Sequence, residues 1–225
     1  MNIQEFIRTS RTGQLSIDEI GRGMHKSFKN ACELIEDAEL LLEKRPARAL
    51  SLAVLAMEEI AKTILLANAA ARAARIQVTW EEIQKDLDLR SHEKKQTVFA
   101  AYGNVVLNKL ASIDEKQKYY EQEVPGGIEP LLDYLKQLGF YVDVANAKFV
   151  SPSDFGRDNK EWAEWTIAVA KERLESFEPL HVTEDKSIEV ARKAAEFAAL
   201  VLNANNEDQL KENIRNFLKK YCKRI

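Results

Sequence analysis

Glycine and proline are scarce in this chain, 8 and 5 residues among 225, and that shortage excludes the many tight turns an all-β fold needs. The two cysteines, Cys32 and Cys222, lie far apart and form neither a CxxC pair nor a zinc spacing. A disulfide scaffold is therefore excluded, and free thiols in a reducing cytoplasm are the expectation. The opening stretch "MNIQEFIRTSRTG" lacks the apolar core of a secretory signal. The chain also lacks a clean membrane span. Ala49 to Ala74 approaches the length, but Glu58, Glu59 and Lys62 fall near its centre. Each is penalised there by about 2.5–3.5 kcal/mol, so this run reads as a core helix. Strong charge of one sign is absent too. A net charge of -3 argues against a nucleic-acid coat protein, while a local basic groove remains compatible with it.

What is present favours helices. Hydrophobic residues make up 45% and charged residues 31%, with Ala, Leu, Glu and Lys abundant. The expectation is an all-α bundle of six or seven helices with at most one small β-hairpin. It forms one domain over 1–225, with a core at about 16–112 and a C-terminal helical part at about 130–222. "SIDE" at Ser16 has the Ser-x-x-Glu form of a capping box. Ile20, Met24, Phe28, Ala31, Ile35, Ala38 and Leu42 then recur at spacings of three and four, one apolar stripe that ends in "EKR".

Pro46 suits the first turn of a second helix. Leu50, Val54, Met57, Ala61, Leu65 and Asn68 share one of its faces, and Leu52, Leu55, Ile60 and Leu66 occupy the others. A helix apolar nearly all round is central, or covered by a partner chain. "TWEE" at Thr79 predicts a second capping box, opening a helical region to about Ser112 with a kink near "DLRSHEKK". Residues 113–129 read as a charged connection. "PLLDYLKQL" reads as a short helix stopped by Gly139 in the C′ position. "FYVDVANAKFV" alternates as a small hairpin, "SPSDFG" is a loop, and helices fit 158–178, 184–203 and 206–222.

The candidate chemistry centres on the charges inside the second helix. Glu58 and Lys62 are an i,i+4 pair in the favourable order. Glu59 points about 100° away from Glu58 and needs another partner. In "RSHEKK", His92 and Lys95 share a helical face with Phe99 and Val106, which places them at the edge of the core. A histidine beside a lysine, facing two unexplained carboxylates, is a candidate site. Other chemistries fail on spacing. There is no HExxH, P-loop or GxSxG, and the lone Glu-x-x-His, Glu178 to His181, contains Pro179. No metal and no cofactor are called for. Tyr119–Tyr120 and Trp162/Trp165 have base-stacking chemistry, but the i,i+3 tryptophans fit core or interface better.

The order "ACELIEDAELLLEKRPARALSLAVLAMEEIAK", then "SHEKK", then "GFYVDV" and "SP" resembles the AbiV family of bacterial abortive-infection proteins. That family is placed in the HEPN superfamily of helical domains. The resemblance covers residues 20 to 180, most specifically in "MEEIAK" and "SHEKK". It implies a HEPN-like bundle, a homodimer, and a role in phage defence in which growth or phage translation is arrested. A phage protein as trigger or inhibitor, and RNA or the ribosome as target, are partners it implies.

Many HEPN proteins are metal-independent ribonucleases with an Arg-x(4–6)-His motif at the dimer interface. This chain departs from that pattern. Neither His25, His92 nor His181 has an arginine five to seven residues before it, and Arg173 lies eight before His181. In an RNA-cleaving version, His92 removes the proton of a ribose 2′-OH, Lys95 stabilises the phosphorane, and Glu58 or Glu59 orients them. Lysine lacks the planar fork of arginine, so this exchange is not neutral. In a binding version, the same residues are structural and the dimer captures a phage or translation component. Both readings stand on the sequence.

Overall fold

Ser16 starts the first long helix as its N-cap: its Oγ accepts from the Glu19 amide at 3.1 Å, and Asp18 and Glu19 supply the acids that a helix start favours. The structure, a computed structural model, describes residues 13–76, 78–87, 135–137, 139–141, 143–145 and 148–221, together with Lys95 and Val98. Helix α1 spans Ile17–Leu41 and buries Ile20, Met24, Phe28, Ala31, Ile35 and Ala38 as one stripe. Residues 42–45 then lead to α2, Pro46–Ala73, with Pro46 in its first turn. A proline costs nothing there, because the amide it lacks has no intrahelical partner.

Helix α2 is the axis of the bundle. Helix α4, Gly156–His181, and helix α5, Glu184–Leu202, pack with α1 around it. Of the apolar surplus of α2, which the sequence assigned to a central place or a partner chain, Ile60 and Leu66 are buried within the same chain, and Leu52 and Leu55 are partly buried. Leu50, Val54, Met57, Ala61 and Leu65 are buried as the periodicity requires, but Asn68 on the same arc is exposed. Among the described residues its amide has no partner to draw it inward, and the arc reaches solvent there.

One apolar cluster lies between α1, α2 and α4, around Phe28, Ile35, Met57, Ile60 and Phe177. A second, around Ile20, Met24, Leu65 and Ile83, fills the other end, and Val98 packs against both. Gly21 marks where α1 crosses α5: a Cβ there would stand 2.6 Å from the Ile188 Cα. Only glycine permits that approach.

Thr79 forms the reciprocal capping box its sequence predicts, with Oγ1 accepting from the Glu82 amide at 3.2 Å and Glu82 Oε2 accepting from the Thr79 amide at 2.7 Å. It opens α3, Trp80–Leu87, and Lys95 and Val98 beyond it are helical. The rest of the region predicted to reach Ser112, and the connection 113–129, lie outside the described residues. The hairpin appears as β3, Asp143–Ala145, antiparallel to β4, Lys148–Val150. A second short pairing was not foreseen: β1, Gln14–Leu15, meets β2, Val78–Thr79, and buries Val78 against the second cluster. Two-residue strands carry too little alternation to be legible.

"SPSDFG" is not a plain loop: Pro152–Phe155 makes a 3-10 turn, with Asp154 Oδ2 accepting from the Ser151 amide at 2.6 Å. Pro179 does not end its helix, because α4 runs on to His181. The last helix, α6, Glu207–Tyr221, lies on α5 through Phe197, Phe217 and Tyr221. This is an all-α bundle with two small β pairings among the described residues.

Candidate functional site

Glu58 sits on the face of α2 that also carries Ala47 and Ser51, at the four- and seven-residue spacings of a helix. Its side chain is 2% exposed, so its charge must be met inside the protein. Lys95 Nζ stands 2.9 Å from one carboxylate oxygen and Lys136 Nζ 3.3 Å from the other. Both lysine side chains are buried as well, at 8% and 10% exposure. A carboxylate bridging two ammoniums is a chemically sensible way to hold buried charge, since each partner offsets the desolvation of the others.

Lys136 reaches this point because its own turn is clamped to α2. Ser51 Oγ, fully buried, donates to the Lys136 carbonyl at 2.6 Å. Gly139 follows so closely that a Cβ would lie 2.0 Å from Ser51 Oγ and 2.2 Å from the Ala47 carbonyl oxygen. The sequence assigned Gly139 to the stop of its short helix, and it does follow the last described helical residues, 135–137. Its backbone is not left-handed, and what demands glycine is the lack of space against α2.

Glu59 and Lys62 pair with each other, one turn apart on α2, at 17% and 26% exposure. The sequence coupled Lys62 to Glu58 instead and left Glu59 in need of a partner from elsewhere. Glu58 is enclosed by the two lysines from other segments, whereas Glu59 and Lys62 share the more open side of the helix. Of the five candidate residues, Lys95 and Glu58 are thus in contact, and Glu59 and Lys62 form a separate pair. His92 lies outside the described residues.

The other polar candidates resolve individually. His181 is buried, packed against Phe28 and Phe177, with Nδ1 3.0 Å from Ser187 Oγ. Burial, aided by the neighbouring His25, lowers its pKa from 6.5 to about 4. It is therefore neutral at neutral pH. His25 Nδ1 donates to the His181 carbonyl at 2.9 Å. Trp162 and Trp165 meet edge to face at 6.0 Å and pack against the first cluster. Tyr119 and Tyr120 lie outside the described residues. Among the described residues, no group of three or more His, Cys, Asp or Glu side chains is arranged to hold a metal ion. Among them, too, no helix is long and apolar enough to cross a membrane.

Lys136 and Ser51 are the members of the cluster that the sequence reading missed. The available signal was a lysine between Leu135 and Leu138 in a short apolar helix, and a serine in an alanine-rich one. Neither names its partner.

A model of the AbiV family of HEPN domains matches residues 19–175. The chain belongs to the AbiV family. The matched span contains Ser51, Glu58, Lys95, Lys136 and Gly139, so the whole charged cluster lies within the AbiV region. His181, Ser187, α5 and α6 lie beyond it. Comparison with curated proteins and with solved structures returns no match. AbiV membership points to an abortive-infection role in phage defence.

Proposed function

We propose that this AbiV-family chain acts in phage defence as a homodimeric binding module that captures a phage or translation component. In this reading the Glu58–Lys95–Lys136 cluster holds its architecture. The observation that carries it is the state of Lys95. A cation that stabilises a phosphorane must reach the scissile phosphate, yet this ammonium is buried and held at 2.9 Å by Glu58. The dimer draws on the common habit of HEPN domains, and sedimentation at micromolar concentration is expected to give a dimer.

RNA cleavage by His92, with Lys95 as the cation and Glu58 or Glu59 orienting them, is the second reading. What favours it is the convergence of two ammoniums on one point, which would suit a phosphate if Glu58 gave way. It requires the cluster to open, for instance on binding a phage protein. The test is to incubate purified protein with total RNA, with and without phage-infected extract, and to map new RNA ends. Intact RNA together with a stably captured partner is the expected result. Discrete ends carrying cyclic phosphates would replace the binding module with the nuclease.

A further inference from the structure

Helix α6 rests on α5 along one side: Asn213 Nδ2 donates to the Leu200 carbonyl at 2.9 Å, and Lys220 and Tyr221 both reach the Glu196 carboxylate. Its apolar stripe is left half covered. Leu210, Ile214, Phe217 and Tyr221 recur at helical spacing, yet none of them is fully buried. Leu218 on α6 and Leu202 at the end of α5 are each 41% exposed, and Phe197 is 37% exposed. A helix of 15 residues is marginal in water by itself, so a stripe this thinly covered has room for a second partner.

The charges of α6 say which partner fits. Glu207 and Lys211 pair within the helix, and Lys220 is held by Glu196. The other four, Asp208, Glu212, Arg215 and Lys219, recur at spacings of four, three and four, and form a single exposed stripe. Among the described residues none of the four has an ion-pair partner. Within one chain their order is unfavourable, because Asp208 and Glu212 are like charges one turn apart, as are Arg215 and Lys219. The helix dipole favours acids in the first turn and bases in the last, but Glu212 and Arg215 stand outside both turns. Laid antiparallel against a copy of itself, the same stripe becomes self-complementary. A two-fold axis midway between Asn213 and Ile214 sets Asp208 opposite Lys219 of the second copy and Glu212 opposite its Arg215, and symmetry repeats both contacts. One register satisfies both pairings. We infer that α6, with the exposed flank of α5, is the surface through which two copies of this chain join. The charges set its register and reject wrong partners, and Leu218, one turn beyond Arg215, supplies apolar contact. The inference rests on the dimeric reading above and deepens it, since the surface lies beyond the matched residues 19–175 and owes nothing to the AbiV region.

Sedimentation of the full-length protein tests it with two charge reversals in mid-helix, which leave both ends of α6 untouched. In a dimer of Glu212→Arg, and equally of Arg215→Glu, like charges face each other across the axis. Each variant alone should dimerise at least tenfold more weakly than wild type, with an unchanged helical circular dichroism spectrum. Mixed in equal amounts, the two should recover the lost affinity as a heterodimer. The double variant Glu212→Arg/Arg215→Glu should recover it as a homodimer, because the complementarity returns with its signs exchanged. A wild type that stays monomeric at micromolar concentration overturns the dimeric reading and this surface together. A dimeric wild type whose single variants dimerise just as tightly overturns the surface alone and leaves the dimer standing. So does a weakening that neither the mixture nor the double variant restores, which would assign these charges to the stability of α6 itself.

Discussion

Removing the Glu58 carboxylate deprives two buried ammoniums of the group between them, whereas removing either lysine leaves Glu58 with the other. The three substitutions should therefore be unequal. Glu58→Ala is expected to cost on the order of 3–5 kcal/mol, and Lys95→Ala or Lys136→Ala less than half as much. Urea unfolding of the three variants measures this, and equal losses would refute the shared-carboxylate arrangement. His181 supplies a pH prediction. Its pKa is about 4 when folded and near 6.5 when unfolded, so below pH 6.5 the unfolded chain takes up a proton that the folded chain refuses. Stability should fall as pH drops from 6.5 to 4, by about 3 kcal/mol at most, and His181→Gln should flatten that slope in denaturant titrations. At this scale the sequence exposed Glu58 plainly, because a carboxylate in an apolar helix needs a partner. It could not reveal Lys136, which is 78 positions away. It also coupled Lys62 to Glu58, since local spacing says nothing about which carboxylate other segments will claim.

Among the elements, α1 offers a direct test of helix packing against helix propensity. Gly21 and Gly23 are two residues apart, yet a Cβ at Gly21 collides with the Ile188 backbone, and one at Gly23 meets only the Leu66 side chain at 3.4 Å. Both substitutions to alanine gain up to about 1 kcal/mol of helix propensity. Only Gly21→Ala must push α5 away, a distortion that costs about 1–3 kcal/mol. Thermal melts should move in opposite directions, Gly21→Ala downward and Gly23→Ala upward or not at all. Helix starts at Ser16, Pro46 and Thr79 were legible because caps are local chemistry, and the stripe of α1 because its period is local too. The stop at Gly139 was legible as well, but the reason for glycine there was not. A glycine after a helix has two physical uses, left-handed backbone and close approach, and the sequence carries no mark to separate them.

For the molecule as a whole, α6 is loosely integrated among the described residues. It buries no residue fully, and its described aromatic contacts are made with α5. Ending the chain at Leu202 should leave the bundle folded, with a helical circular dichroism spectrum and a melting temperature only a few degrees lower. Collapse of the spectrum would show that α6 supports more than its contacts imply. The all-α class was readable because composition and period agreed over long stretches. The covering of α2 was not, since an apolar surface carries no mark of which helix, or which chain, will meet it. The charged clamp at Glu58 has a kinetic consequence as well. Helices α1 and α2 are neighbours in sequence and can associate early, whereas the Glu58–Lys136 contact must wait for a long loop to close. A contact that forms only after the folding transition state acts on the return journey. Loss of the Glu58 carboxylate should thus leave the rate of refolding nearly unchanged and appear as faster unfolding, so that the clamp governs how long a folded molecule lasts rather than how quickly it forms.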